Sequence, residues 1–174
     1  TTSNFGLTWN IDNETGPGIR IDGNDAVFSA DSAKISVLGD SQLYVSTDSG
    51  ATWTTKNLPS NGYSFRSIAS NADGTKLAIA GGAGQGGGYI FTSTDSGVTW
   101  TQQTSAGYRD WYDIASSSDG TKLTAISTNS WGNDGYIFTS TDSGATWTQR
   151  TFDSNDRWES IASSADGTKL AAVI

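Results

Sequence analysis

Short apolar runs alternate with clusters of turn-forming residues along the whole chain. Typical runs are Leu43-Tyr44-Val45, Leu77-Ala78-Ile79-Ala80 and Ile90-Phe91, and Ser, Thr, Gly, Asn and Asp dominate the segments between them. Apolar runs this short, bounded by such residues, are typical of β-strands and not of helices. The pattern therefore predicts an all-β chain with many tight turns.

An octapeptide, Ser-Thr-Asp-Ser-Gly-x-Thr-Trp, recurs between the apolar runs. It begins at Ser46, Ser93 and Ser140, an interval of 47 residues both times, and a degenerate copy runs from Thr2 to Trp9. Asp accepts hydrogen bonds from the backbone of a turn and Gly supplies a positive φ, so the octapeptide predicts a hairpin turn. A fixed period of this length is typical of a repeated supersecondary unit.

A second phrase, Asp-Gly-Thr-Lys, alternates with the octapeptide. It begins at Asp73, Asp119 and Asp166, and Asp31-Ser32-Ala33-Lys34 is a degenerate version. Asp-Gly between two apolar runs is a strong signal for a β-hairpin. Each repeat therefore predicts four antiparallel strands: A and B joined by the Asp-Gly turn, then a variable loop, then C and D joined by the octapeptide.

The octapeptide has the form of the Asp-box, and the chain resembles the Asp-box (bacterial neuraminidase repeat) β-propellers over essentially all of its 174 residues. The resemblance implies one domain, residues 1–174, in which four-stranded blades surround an axis. In that family the Asp-box is a structural turn on the outer rim, away from the functional face. The resemblance therefore bears on the fold more than on the activity.

The repeats predict four blades, the last of which is split between the termini. Three are complete, at about residues 11–54, 55–101 and 102–148, and the split blade combines residues 1–10 with 149–174. The sequence predicts fifteen strands: one near Trp9, twelve in the complete blades and two at the C-terminal end. Four blades need sixteen strands. The missing strand is C of the split blade.

The missing strand leaves an apolar edge with unpaired backbone groups near the C-terminal end. We expect this edge, which contains Leu170, Val173 and Ile174, to mediate self-association, so that the chain forms a homo-oligomer or an open polymer. The alternative is a closed four-bladed monomer whose last blade has three strands.

Charge and composition narrow the choice of partners. The net charge of −8 and the pI of about 4.2 disfavour nucleic acid, and no apolar run approaches the length needed to insert in a membrane. The chain has no Cys, His or Met. Without Cys and His we expect neither a metal nor another cofactor. The missing methionine favours a leader peptide that has been removed, and hence an extracellular protein; a trimmed sequence is the alternative explanation.

The two ends of the blades differ in how much they vary between repeats. The A–B and C–D turns are nearly identical, whereas the B–C and D–A loops differ, so we expect the ligand site among these loops. The candidate site residues are Tyr108, Arg109, Trp111, Tyr112, Trp131, Arg157 and Trp158. These residues favour saccharide recognition, because aromatic rings stack on sugar faces and polar groups bind sugar hydroxyls. Such residues are equally suited to protein–protein contacts.

Packing between blades is the alternative role for these aromatic residues, because several of them begin strand A. We expect Phe65 and Phe152 to be packed in this way. For Trp111, Trp131 and Trp158 the sequence leaves both roles open.

Catalysis has little support from the residues. Similar sialidases use three convergent arginines, a Tyr–Glu pair and an Asp, and they carry an Arg-Ile-Pro motif, whereas Arg20-Ile21-Asp22 lacks the Pro. Paired carboxylates can hydrolyse glycosides, and Asp110, Asp113, Asp156 and Glu159 are conceivable members of a pair. Solvated loop charges are the more ordinary explanation for them.

The sequence therefore predicts a secreted, non-catalytic binding or adhesion module that recognises glycans or a cell surface. The alternative is a structural subunit of an extracellular assembly or fibre, completed by strand complementation between chains. A glycoside hydrolase is the third possibility.

Overall fold

The computed structural model describes residues 23–39, 41–59, 62, 64–82, 87–128, 135–150 and 158–174. Within these residues it shows fourteen strands in four antiparallel sheets, and one 3-10 turn at Thr104–Ala106. The all-β prediction is thus confirmed. The strand expected near Trp9 lies outside the described residues.

Three sheets have four strands in chain order, and the fourth has two. Sheet 1 contains β1 (Gly23–Phe28), β2 (Ile35–Gly39), β3 (Gln42–Ser46) and β4 (Thr54–Asn57). Sheet 2 contains β5 (Phe65–Ser70), β6 (Leu77–Gly81), β7 (Ile90–Ser93) and β8 (Thr101–Gln103). Sheet 3 contains β9 (Asp110–Ser116), β10 (Leu123–Thr128), β11 (Gly135–Ser140) and β12 (Thr148–Arg150). Sheet 4 contains β13 (Ser160–Ser163) and β14 (Leu170–Val173).

The octapeptide forms the tight turn between the third and fourth strands of each complete sheet. In sheet 2, Ser96 and Gly97 both have positive φ, +58° and +84°. The carboxylate of Asp95 accepts bonds from the Thr99 amide at 2.9 Å, the Thr99 hydroxyl at 2.6 Å and the Ser93 hydroxyl at 2.7 Å. The octapeptide is therefore a structural turn, and its serine shares the left-handed conformation that the sequence pattern assigned to glycine alone.

The core lies between successive sheets and not inside any one of them. Leu43 and Phe65 are buried between sheets 1 and 2, and Ile90 and Phe138 are buried between sheets 2 and 3. The tryptophan of the octapeptide contributes to this core. Trp147 is half-buried against the core between sheets 2 and 3, and its indole N–H donates to the carbonyl of Gly144 at 2.8 Å.

The first strands of the four sheets lie side by side in the order β1, β5, β9, β13. Within the described strands, β13 packs against β9 and β10 and has no comparable contact with β1. Sheet 4 therefore extends the stack beyond sheet 3 and is not seen to return to sheet 1.

An alternation of Asp and Ser joins these first strands. The same strand position is Asp25 in β1, Ser67 in β5, Asp113 in β9 and Ser160 in β13. The Ser67 hydroxyl lies 2.9 Å from Asp25 and 2.7 Å from Asp113, and the Ser160 hydroxyl donates to Asp113 at 2.8 Å. We call this set of four residues the Asp–Ser ladder.

Candidate functional site

The variable loops meet at one end of the sheets, which we call the loop end. Its described residues are 64–66, 81–82, 87–89, 108–112, 135–136 and 158–159. Two parts of the chain place side chains there. One is the start of each first strand, and the other is the connection between the second and third strands.

A β-bulge occurs at the start of each first strand in the complete sheets. In sheet 2, Phe65 pairs with Gly81 and Ser67 pairs with Ala80, so Arg66 is the extra residue. Tyr112 is the extra residue in sheet 3. A bulge re-aims the side chain of the extra residue, and bulges are over-represented beside functional sites. The strand thus presents a different residue at an equivalent point of each sheet.

The bulges of sheets 2 and 3 bring three polar side chains together. The Arg66 guanidinium lies 4.4 Å from the centre of the Tyr112 ring, and one of its nitrogens lies 3.6 Å from a carboxylate oxygen of Asp110. The Arg66 side chain is 36% exposed and that of Asp110 is 26% exposed. We call these three residues the Arg66 cluster.

Gly82 makes the position of Asp110 possible. A Cβ atom at Gly82 would lie 2.0 Å from a carboxylate oxygen of Asp110 and 2.9 Å from its Cα atom. No side chain fits there, so the connection after β6 passes directly against Asp110. Glycine at this position is required by close approach and not by its dihedral freedom.

A second group of aromatic and basic residues lies beside the Arg66 cluster. Tyr108 is half exposed, and its ring centre lies 5.3 Å from that of Tyr89 in an edge-to-face arrangement. The guanidinium of Arg109 lies 5.5 Å from the ring centre of Tyr136 and 4.7 Å from that of Phe138. Backbone bonds of 2.7 and 3.0 Å between Arg109 and Gly88 hold this segment in place.

Trp111 corrects the expectation of an exposed aromatic platform. The side chain is fully buried, with its ring centre 5.1 Å from that of Phe138 and 6.4 Å from that of Trp147. The extra residue of the bulge, Tyr112, instead lies partly buried against the core between sheets 3 and 4, with its ring against the Arg66 guanidinium. Packing between sheets, the alternative that the sequence left open, is the role of this indole.

The remaining aromatic and basic candidates divide into two groups. Phe65 is buried as predicted, and Trp158 is half-buried against the core between sheets 3 and 4. Trp131, Phe152 and Arg157 lie outside the described residues, so their expected roles stay predictions.

The carboxylates considered for catalysis occupy different surroundings. Asp113 belongs to the Asp–Ser ladder and accepts four bonds there, including the Ile161 amide at 2.8 Å. Asp110 faces Arg66, Glu159 is exposed, and Asp156 lies outside the described residues. In the described part of the chain, no group of three or more acidic residues is arranged to hold a metal ion.

Lowered pKa values occur at the opposite end of the sheets, in the turns. The hydroxyl and amide of Thr52, followed by the hydroxyl of Ser46, lower the pKa of Asp48 to about 2. The equivalent bonds lower the pKa of Asp142 to about 2. These shifts report turn geometry, because each cause is a hydrogen bond within the turn.

The selection of ligand-binding residues from the sequence missed Arg66, Tyr89 and Tyr136, and it considered Asp110 only as a member of a catalytic pair. The signal for Arg66 was its position, two residues before the isoleucine of the first strand, which Tyr112 and Glu159 also occupy. This position differs between repeats although the residues after it are similar.

No helix among the described residues is long and apolar enough to cross a membrane.

No protein-family model matches the chain, and no curated protein sequence matches it either. Several solved structures are similar to it in three dimensions. One is a structure of YCF48 bound to D1 peptide, with 21% identity and a TM-score of 0.60, covering 80% of this chain and 45% of that chain.

Two further structures show the same likeness. The GH74 xyloglucanase from Xanthomonas campestris has 18% identity and a TM-score of 0.66, covering 85% of this chain and 26% of that chain. A nidogen/laminin complex has 16% identity and a TM-score of 0.66, covering 86% of this chain and 55% of that chain. The chain thus spans between about a quarter and about a half of these proteins. They are β-propeller proteins, and the four antiparallel sheets of this chain have the β-propeller fold.

Proposed function

We propose that the chain is a non-catalytic binding module that recognises glycans or another cell-surface ligand through the loop end. The observation that carries the proposal is the paired bulge, which places Arg66 4.4 Å from the ring of Tyr112 on an accessible surface. Tyr112 also packs against the core between sheets 3 and 4, whereas the Arg66 side chain is 36% exposed.

The Arg66 cluster has the chemistry that a saccharide needs. A guanidinium offers several N–H donors in a plane, a carboxylate accepts bonds from hydroxyls, and a phenol does both. Arg66 and Asp110 lie 3.6 Å apart, longer than a good hydrogen bond, so the guanidinium retains bonding capacity toward a ligand, whereas the Asp110 oxygen nearest to it is itself buried. Neighbouring Tyr108, half exposed, adds an apolar ring face to the same surface.

Two considerations favour binding over hydrolysis. Asp113 is committed to joining three sheets, and Asp110 faces a cation, so neither resembles the free carboxylate pair of a glycosidase. The solved structures with this fold include a peptide-bound protein, a laminin complex and a xyloglucanase, so the fold alone does not choose between these functions.

The finer architecture and the location belong to the same proposal. The hydrogen bonds of the octapeptide turn support membership of the Asp-box propellers. The two strands of sheet 4 support a fourth blade, of which they would be the first two strands. A secreted or cell-surface location accords with ligands of this kind.

A glycan array followed by titration of the strongest ligand tests the proposal. We expect Arg66→Ala and Tyr112→Ala to weaken binding at least tenfold, since each removes about 1.4 kcal/mol or more of contact energy, the equivalent of a factor of ten. The matched control is Val98→Ala, an exposed residue of the octapeptide turn. Unchanged affinity in both site variants, at unchanged melting temperature, would contradict the proposal.

Hydrolysis has its own test. We expect no reducing-sugar release when the protein is incubated with xyloglucan or a sialylated glycan at high protein concentration. Turnover that disappears in Asp110→Asn would replace the binding module with a glycoside hydrolase.

A structural subunit is the second candidate function, and one observation favours it. Leu170, Val173 and Ile174 are 46%, 58% and 70% exposed at the edge of the last sheet. An apolar edge strand readily pairs with another chain.

A further inference from the structure

Arg109 differs from the other two described arginines in the surroundings of its guanidinium. Among the described residues the only ion pair joins Arg66 to Asp110, and the Nε atom of Arg150 donates to the Thr139 hydroxyl at 2.9 Å. The guanidinium of Arg109 has neither kind of contact there, and its Nε atom is buried without an acceptor. A buried polar group without a partner is uncommon in folded proteins and calls for an explanation.

Two aromatic rings support this guanidinium. Its central carbon lies 4.7 Å from the ring centre of Phe138 and 5.5 Å from that of Tyr136, both on the third strand of sheet 3. A cation is attracted to an aromatic face, whereas the N–H donors of a guanidinium lie in its own plane. The rings therefore hold the Arg109 side chain without using its donors.

The backbone of Arg109 is fixed against sheet 2. Its carbonyl accepts a bond from the Gly88 amide at 2.7 Å, and its amide donates to the Gly88 carbonyl at 3.0 Å. At Gly87, whose φ is +118°, a Cβ atom would lie 2.9 Å from the Tyr108 ring and 3.0 Å from the backbone of Arg109. The glycines permit this close approach, so the side chain of Arg109 starts from a fixed point between sheets 2 and 3.

The other repeats do not have an arginine at this position. Four residues before the residue of the Asp–Ser ladder, the sequence has Ile21, Tyr63, Arg109 and Asp156 in the order of the sheets. One position of the repeat thus carries an aliphatic, an aromatic, a basic and an acidic residue. The turns, which serve the fold, are nearly identical between repeats, so the fold of the repeat gives no reason for this arginine.

We propose that Arg109 binds an anionic group of the ligand, a carboxylate or a sulfate ester, so that the chain recognises glycans rich in hexuronate or sulfated sugars. The inference rests on the proposed function, because it names the class of glycan that the loop end takes. A guanidinium presents paired N–H donors that match two oxygens of such a group. A Cβ atom at Gly107 would lie 3.6 Å from the Nε atom, so the chain covers that edge and the anion meets the terminal nitrogens.

The neighbouring groups of the loop end suit the rest of an acidic sugar. Tyr108 precedes Arg109 in the chain and is half exposed, with its ring against Tyr89. Its ring can lie against the C–H face of a sugar whose anionic group reaches Arg109. Arg66 has a different role, because Asp110 already faces its charge at 3.6 Å, so its donors serve sugar hydroxyls.

The net charge of −8 does not oppose an anionic ligand at this end of the sheets. The strands are short, six residues in β5 and five in β6, which corresponds to about 17–20 Å. Charges separated by more than about 8 Å in solvent are largely screened at physiological ionic strength. Hydrogen bonds lower the pKa of seven aspartates, which are thus ionised, and all seven lie in the turns at the opposite end: Asp31, Asp48, Asp73, Asp95, Asp119, Asp142 and Asp166.

Matched pairs of ligands test the charge of the glycan. The first pair is an oligogalacturonate and the same oligosaccharide with its carboxylates methyl-esterified, which removes the charge and keeps the hydroxyls. The second pair is a sulfated oligosaccharide and its desulfated form. We expect the wild type to bind the charged member of at least one pair at least tenfold more tightly. The pair with the larger preference identifies the anion as a carboxylate or a sulfate.

Arg109→Gln is the variant that tests the residue. Glutamine keeps a polar end without the charge, so we expect the affinity for the charged ligand to fall at least tenfold, to that for the uncharged one. The affinity for the uncharged ligand and the melting temperature should stay the same. Arg150→Gln is the matched control, because Arg150 is an exposed arginine of β12, and it should keep the wild-type preference.

Three outcomes would overturn the inference. Equal affinity of the wild type for charged and uncharged ligands would show that no anion is recognised. A preference that survives in Arg109→Gln would place the anion elsewhere, and an equal loss in Arg150→Gln would show a general effect of charge.

Arg66→Ala distinguishes this inference from the proposed function. It should weaken the charged and the uncharged ligand to the same extent and leave the preference unchanged. Glycan binding that depends on Arg66 but not on the charge of the ligand would overturn the inference and leave the proposed function standing. Absence of binding to any glycan would overturn both.

Discussion

The hydroxyl of Ser67 in sheet 2 lies 2.7 Å from a carboxylate oxygen of Asp113 in sheet 3. The other oxygen of Asp113 accepts bonds from the hydroxyl of Ser160 and the amide of Ile161 in sheet 4, both at 2.8 Å. One carboxylate thus joins three sheets at their first strands. Because the same position alternates between Asp and Ser, each serine hydroxyl of the ladder faces a carboxylate, and the single proton of Ser67 is donated to either Asp25 or Asp113.

The first prediction concerns this carboxylate. Asp113→Ala leaves the amide of Ile161 without its acceptor, whereas the hydroxyl of Ser67 keeps Asp25 as a partner, and an unsatisfied buried donor costs about 1–3 kcal/mol. We expect the free energy of unfolding in urea to fall by about that amount or more. Asp113→Asn keeps one acceptor oxygen and should lose less. Equal stability of the alanine variant and the wild type would contradict a structural role for the ladder.

The second prediction concerns Trp111. Its burial against Phe138 and Trp147 predicts that Trp111→Ala lowers the free energy of unfolding by about 3–5 kcal/mol, the cost of removing a large aromatic side chain from a core. Trp111→Phe retains most of the packing and should cost clearly less. Chemical denaturation measures both. A Trp111→Ala protein that has normal stability but no longer binds the ligand would show that this indole belongs to the binding surface.

The third prediction concerns the close approach of Gly82 to Asp110. Gly82→Ala places a methyl group 2.0 Å from the present position of the carboxylate oxygen, so Asp110 has to move away from Arg66. We expect ligand affinity to fall at least tenfold. The control is Gly62→Ala, because a Cβ atom there has no neighbour within 4 Å, although its positive φ adds some local strain.

A double variant tests whether the effect of Gly82→Ala comes from displacement of the Asp110 carboxylate or from a disturbance of the backbone. Gly82→Ala combined with Asp110→Ala removes the carboxylate oxygen that the methyl group would meet but not the 2.9 Å approach to the Asp110 Cα atom, so it should recover part of the stability that Gly82→Ala loses. A double variant that is less stable than both single variants would show that the methyl group disturbs the backbone and not the carboxylate.

Local signals account for what the sequence predicted correctly. Asp-Gly and the octapeptide are turns whose hydrogen bonds close within a few residues, so the strands on either side of Asp95 or Asp119 could be placed from the sequence alone. Burial of Phe65 followed from its position at the start of a first strand. These features depend on contacts within one repeat.

The site was harder to predict because it depends on bulges and on contacts between sheets. A single extra residue reverses the alternation of the strand, so Trp111 points into the core while Tyr112 points toward Arg66, and simple period-two patterning cannot reveal which is which. The Asp–Ser ladder was missed for a related reason. Asp25 and Ser67 look like unrelated strand residues until the sheets are superposed.

The last prediction concerns acid. Hydrogen bonds lower the pKa of Asp48, Asp142 and Asp166 to about 2 each, and they lower that of Asp95 as well. A carboxylate whose pKa is lower in the folded state stabilises the fold above its unfolded pKa of about 4, and this contribution is lost as the pH falls toward 2. We therefore expect the melting temperature to be constant between pH 7 and 5 and to decrease between about pH 4 and 2.

Asp95 provides the variant for this test. Asp95→Ala removes the bonds to Thr99 and Ser93, so it should lower the melting temperature at pH 7 and lose less of it than the wild type does on going to pH 2. Val98→Ala, in the same turn, is the control and should follow the wild-type pH profile. Glycan affinity measured on the folded Asp95→Ala protein should be unchanged, because the turn lies at the opposite end of the sheets from Arg66. Loss of that affinity at an unchanged melting temperature would move the ligand site to the turns.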